Sequence, residues 1–139
     1  MSIPTLLIID DHQLIRDMWA KVLQDTGEVQ VIKYPGRLTE ALEIIKDQQP
    51  TIILLDVYMS PITGFDLMPQ IKSASPATNV IGFSVHASAS YAKQLLQLGA
   101  SGYITKNSDL KVILTAIREV QKGNRYVTKE IGEVLATME

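Results

Sequence analysis

The alternation of short apolar runs with segments of helical period predicts a doubly wound α/β domain, a parallel sheet with helices on both faces. The runs Thr5-Leu6-Leu7-Ile8-Ile9, Ile52-Ile53-Leu54-Leu55, Val80-Ile81-Gly82-Phe83 and Gly102-Tyr103-Ile104-Thr105 are almost continuously apolar. That is the pattern of strands buried on both faces. A segment with apolar residues every three or four positions follows each run, long enough to serve as a crossover between parallel strands.

Each element has its own local warrant. After the first strand, Leu14, Ile15, Met18, Trp19 and Val22 recur at helical spacing until Gly27, a helix stop. Residues 29–34 are rich in branched side chains and form the second strand candidate, closed by Pro35-Gly36. Ala41, Leu42 and Ile45 mark the second helix, which ends before Pro50. Leu67, Met68 and Ile71 mark the third, and Pro69 in its middle is expected to kink or shorten it, because proline lacks the N–H donor. Tyr91, Leu95 and Leu98 form the fourth, closed by Gly99. Ser108 is the expected N-cap of a fifth helix, which carries Leu110, Ile113, Leu114, Ile117 and Val120 on one face. Five strands and five helices result. Beyond Gly123, the residues Ile131, Val134, Leu135 and Met138 outline one more amphipathic stretch. The expected organisation is one domain over residues 1–123, with 124–139 as a C-terminal helical extension or the start of a linker.

Composition narrows the function classes. A chain of 139 residues with 46% hydrophobic and 20% charged residues is sized for one folded domain. Thirteen basic and fifteen acidic residues leave a net charge of -2 without a basic stripe, which argues against direct nucleic-acid binding by this chain. The absence of cysteine excludes a disulfide framework and thiolate chemistry, and fits a reducing, cytoplasmic setting. Neither histidine has zinc partners at ligand spacing, so His12 and His86 read as loop or rim residues. No leader or long apolar stretch directs the chain to a membrane.

The chemistry gathers where the strands run out: Asp10 and Asp11 after the first, Asp56 after the third, Ser84 after the fourth and Lys106 after the fifth. Open parallel sheets bind ligands at the carboxyl ends of their strands. Adjacent carboxylates repel unless a cation or hydrogen bonds compensate them, and an all-oxygen set favours magnesium, calcium or manganese. Asp56 is then a candidate carboxylate nucleophile for phosphoryl transfer, Ser84 a hydroxyl donor, and Lys106 a point charge for carboxylate or phosphoryl oxygens.

These five positions, with the elements between them, resemble the receiver domain of bacterial two-component response regulators, a flavodoxin-like fold. The resemblance covers roughly residues 3–123. The stretches Ile9-Asp10-Asp11-His12, Leu98-Gly99-Ala100-Ser101-Gly102-Tyr103-Ile104-Thr105-Lys106 and Ala116-Ile117-Arg118, with Gly123, are similar to the NarL/FixJ type, whose receivers normally precede a LuxR-type helix-turn-helix. The resemblance implies that Asp56 accepts phosphate from a sensor histidine kinase. Asp11, Asp56 and the backbone carbonyl of Tyr58 would hold magnesium, with Asp10 assisting. Ser84 and Lys106 would grip the phosphoryl oxygens. Tyr103 would be the switch aromatic that turns inward, reshaping the face built from the fourth helix, fifth strand and fifth helix. It also implies no turnover enzyme beyond self-phosphorylation and autodephosphorylation, and a possible homodimer.

Some positions depart from the family pattern. Ser60 stands where a proline is usual and Pro61 comes one later, although Gly64 keeps its spacing. Val85 is bulkier than the usual small residue, and with Tyr58 and His86 it forms a rim expected to tune the rates. The alternatives are a pseudo-receiver acting only in dimerisation or protein binding, and a small aspartyl-phosphate phosphatase. Asp10-Asp11-His12 lacks the Asp-x-Asp of the haloacid-dehalogenase pattern, and the chain has no nucleotide-binding glycine loop.

Overall fold

The structure, a computed structural model, describes residues 3–34 and 36–138. The elements alternate as β1 (Thr5–Ile9), α1 (Gln13–Asp25), β2 (Gln30–Ile32), α2 (Leu38–Gln48), β3 (Ile52–Leu55), α3 (Gly64–Ala74), β4 (Asn79–Ser84), α4 (Ala89–Gln97), β5 (Gly102–Thr105), α5 (Leu110–Gln121), β6 (Tyr126–Val127) and α6 (Lys129–Leu135). One parallel sheet has the order β2-β1-β3-β4-β5-β6. The direction of winding reverses between β1 and β3, which opens a crevice at their carboxyl ends.

Alternate residues of the central strands face two apolar layers. Leu6, Ile8, Ile52, Leu54, Ile81 and Phe83 pack with the α1 and α5 side, joined by Leu23, Ile113, Ile117 and Val120. Leu7, Ile9, Ile53, Leu55 and Val80 pack on the opposite side with Ile45, Met68, Ile71 and Leu95. This two-sided burial follows from strands that are apolar at every position. Among the described residues no helix is long and apolar enough to cross a membrane.

The structure corrects several expectations. Among the described residues the sheet has six strands, because the extension contributes β6 before α6; two residues are too few to show a period, and pairing is what makes them a strand. β2 spans only three residues at the sheet edge. The Pro35 half of the Pro35-Gly36 stop lies outside the described residues. Asp109, rather than Ser108, caps α5, and its side chain makes no capping bond. Ser108 instead sits in the preceding turn, its N–H donating to the Thr105 carbonyl at 3.1 Å. α3 runs eleven residues through Pro69. The ring lies on the exposed side, while Met68 and Ile71 anchor the helix to the core, and a Thr63–Asp66 capping box secures its start. In α1, Leu14 is 85% and Met18 46% exposed, whereas Arg16 and Leu23 are buried. The apolar stripe of that helix therefore serves two surfaces, the core and the rim of the crevice.

Candidate phosphoryl-acceptor and metal site

The strand ends bring together the residues expected of the site. Asp10 closes β1, is 1% exposed, and receives the Lys106 Nζ on Oδ2 at 2.5 Å. Its Oδ1 accepts the His12 backbone N–H at 2.9 Å, an arrangement that turns the chain from strand into helix. Asp11, next along the chain, stays at the exposed lip. Asp56 follows β3 and is 4% exposed; its backbone N–H donates to the Ile9 carbonyl at 2.9 Å, which extends the β1–β3 ladder to the site itself. Its Oδ1 accepts the Tyr58 N–H at 3.0 Å, and its Oδ2 lies 3.4 Å from Lys106 Nζ. Lys106 extends from the end of β5, where its backbone N–H donates to the Ser84 carbonyl at 2.7 Å.

The electrostatics are those of an acidic pocket with one ammonium. Burial pushes the Asp56 carboxyl above the usual carboxylate range; the Tyr58 amide and the Lys106 charge oppose that rise, and Asp10 adds to it. Lys106 offsets one of the three carboxylates, so a divalent cation would bring the site close to neutrality. Donor atoms of Asp10, Asp11, His12 and Asp56 lie within 4.8 Å of one another. That spacing and the oxygen-rich donor set fit a magnesium or manganese ion. His12 is brought closer to the carboxylates than a rim reading implies: its Nδ1 is 3.1 Å from Asp11 and 3.3 Å from Asp10.

A cleft of about 450 Å³ opens over these groups, lined by His12, Ile15, Met18, Trp19, Asp56, Tyr58, Val85 and Lys106. Tyr58 and Val85 are 59% and 72% exposed. Tyr58, His86 and Tyr91 form an aromatic cluster, with ring centroids 4.7 Å apart for Tyr58 and His86 and 6.2 Å for Tyr58 and Tyr91. The loop after β3 is thereby joined to the loop after β4 and to α4. Ser84 is fully buried, and its Oγ accepts the His86 N–H at 3.0 Å. Tyr103 is also fully buried and donates its hydroxyl to the His86 carbonyl at 2.9 Å. Burial raises the Tyr103 phenol, and the Ser84 hydroxyl draws it back.

Two glycines make this geometry possible. A Cβ on Gly64 would come within 2.7 Å of the Asp56 carbonyl oxygen and of the Val57 Cα, so only glycine lets α3 start against the loop. The displaced Pro61 is accommodated before that contact, and the Ser60–Pro61 bond is cis. At Gly82 a Cβ would meet Leu95 and the Tyr103 ring at 2.6 and 2.8 Å. A glycine inside an apolar strand is a signal of close approach, and it was the available clue to the seat of Tyr103. Arg16 was missed: buried in α1, it donates from Nη1 to the Asp10 carbonyl at 2.7 Å and lies over the Tyr34 ring.

Residues 6–118 match the response regulator receiver domain family. The response regulator GacA of Pseudomonas aeruginosa is 30% identical over 131 residues, 94% of this chain and 61% of that protein. This chain thus spans about three-fifths of the length of that relative. The receiver domain of the response regulator NarL from Mycobacterium tuberculosis superimposes with a TM-score of 0.80 at 30% identity, over 89% of this chain and all of the other. A LuxR-family response regulator from Aurantimonas sp. SI85-9A1 shares the fold at a TM-score of 0.90 and 23% identity, over 99% of this chain and 98% of that one. From the strand-end residues to these likenesses, the chain belongs to the response regulator receiver domain family of bacterial two-component systems, in its NarL/FixJ branch.

Proposed function

We propose that this chain is a signalling switch that accepts a phosphoryl group on Asp56 from the phosphohistidine of a sensor kinase. The observation that carries this reading is the Asp56 carboxylate, almost buried at the foot of an open cleft, with Lys106 Nζ at 3.4 Å and other acidic donors beside it. An Asp56 oxygen forms the new O–P bond as the P–N bond of the donor breaks; the imidazole leaves with the bonding pair and is neutral once protonated. A magnesium or manganese ion held by Asp11, Asp56 and the Tyr58 carbonyl, with Asp10 assisting, would neutralise charge on the carboxylates and the transferring group. Lys106 and the Ser84 hydroxyl then hold the phosphoryl oxygens, and Tyr103 takes the role of the aromatic that follows Ser84. Attack by water returns the carboxylate and inorganic phosphate, so the chain turns over only its own phosphoryl group. Tyr58, Val85 and His86 at the mouth set the access of donor and water.

Ile15 and Met18 in the lining of the cleft, with the exposed Leu14 on the same helix, offer an apolar surface to the kinase. Because the curated relatives are longer, the receiver is proposed to govern a transcriptional regulator whose DNA-binding part lies elsewhere in the full protein; a homodimer is a further proposed partner. Intact mass measurement tests the central claim: with magnesium and a small acyl phosphate the protein gains one phosphoryl group, and Asp56→Asn abolishes the gain. Labelling that survives the substitution sinks the assignment of Asp56. No gain in the unsubstituted protein favours a pseudo-receiver, and multiple turnovers on phosphomonoesters favour a phosphatase.

A further inference from the structure

The fifth strand is not a free sheet edge in this chain. Tyr126 and Val127 pair with Gly102 and Tyr103. The next residue, Thr128, bonds β5 twice: its N–H donates to the Tyr103 carbonyl at 3.1 Å, and its Oγ1 accepts the Thr105 N–H at 3.2 Å. Thr128 is buried, and α6 starts from it. Ile131 is 2% exposed within the same apolar layer as Tyr103, Ala92 and Leu95, with Leu135 packed against that layer. Gly132 lets α6 close on β6, where a Cβ would lie 3.2 Å from Val127. The edge of β5 and the flank of α4, part of the face expected to change shape, are therefore covered by the chain's own segment 126–135.

We propose that this segment is the docked occupant of the α4–β5 surface and responds to the state of Asp56 through Thr128. The inference rests on the phosphoryl-acceptor reading of Asp56. Thr105 lies between the two ends of the path: its N–H is held by Thr128, and the next residue is Lys106, whose ammonium sits between Asp10 and Asp56. The phosphoryl group carries about 1.5 to 2 negative charges in place of the carboxylate's single one, a net gain of at most about one, and draws that ammonium from Asp10 towards Asp56. The Lys106 backbone is fastened to Ser84, so the end of β5 moves with the β4 end against Thr128. The two Thr128 bonds loosen, and α6 with them. By linkage, whatever releases the segment also favours the phosphorylated state.

Hydrogen exchange of the whole chain, followed by mass spectrometry with and without acyl phosphate and magnesium, tests this. Exchange in peptides covering residues 126–135 is expected to rise about threefold or more on phosphorylation. Thr128→Val keeps the shape and removes the acceptor. Its exchange should already be raised without phosphate and change little on phosphorylation, while the phosphoryl gain by intact mass persists. Phosphoryl gain with unchanged exchange in the unsubstituted protein overturns this proposal alone, as does a Thr128→Val protein that keeps the full response. Failure to gain phosphate overturns both this proposal and the reading beneath it.

Discussion

Lys106→Met isolates the electrostatics of the site, because methionine keeps most of the aliphatic stem and removes only the charge. The ammonium lies 2.5 Å from an Asp10 oxygen and 3.4 Å from an Asp56 oxygen, and the two carboxylates are nearly buried. With an effective dielectric of about 20, these contacts correspond to roughly 7 and roughly 5 kcal/mol of Coulomb attraction. Much of this offsets the cost of desolvating three charges, so the net loss is smaller. Removing one partner of a buried pair costs about 3 to 5 kcal/mol. Proton uptake by Asp56, whose carboxyl burial already raises, relieves part of the repulsion, which places the expected loss at about 3 kcal/mol, or roughly 10 °C in melting temperature. A divalent cation supplies charge at the same place, so magnesium should stabilise the variant more steeply than the parent. Urea unfolding at neutral pH, with magnesium titrated from zero, measures both quantities. A variant as stable as the parent without magnesium, or one with no steeper dependence on it, would refute the claim that Lys106 is the charge that permits these carboxylates to be buried together.

Two further predictions concern the acceptor and its loop. Because burial raises the Asp56 carboxyl, the magnesium-free native state binds its proton more tightly than the unfolded chain does. Its contribution to stability is therefore full below the unfolded pKa and is lost as pH rises through the raised native pKa. Asp56→Asn removes that loss, so the variant should be more stable than the parent at neutral pH, with the advantage vanishing on acidification; an advantage independent of pH in urea unfolding contradicts this account. Gly64→Ala drives a methyl group into the Asp56 carbonyl and the Val57 Cα, both backbone atoms that cannot rotate away. A loss of about 2 kcal/mol or more is expected, together with slower phosphoryl uptake by intact mass, and near-parental values for both would show that the loop yields.

The sequence carried the placement of the strand-end residues further than it carried the packing. Asp10, Asp11, Asp56, Ser84 and Lys106 were legible because each follows an apolar run, and a parallel sheet sends all such ends to one edge. Arg16 was illegible for the opposite reason: it sits within a helical pattern where charge normally means solvent, yet its guanidinium reaches the Asp10 carbonyl and a tyrosine ring. Leu14 and Met18 fit the periodicity of a core face, and only the placement of α1 beside the crevice left them exposed.

By itself the sequence determined the α/β class, the order of its first ten elements and the residue types at the strand ends, since all of these follow from local periodicity and the chemistry of single side chains. Tertiary structure decided what depends on partners distant in the chain: the charge balance of Lys106 against Asp10 and Asp56, the burial of Tyr103 over Gly82, and the sixth strand, which exists only because the β5 edge is there to pair with Tyr126 and Val127. Hydrogen-bond partners and desolvation belong to the folded neighbourhood, and no window of sequence contains them.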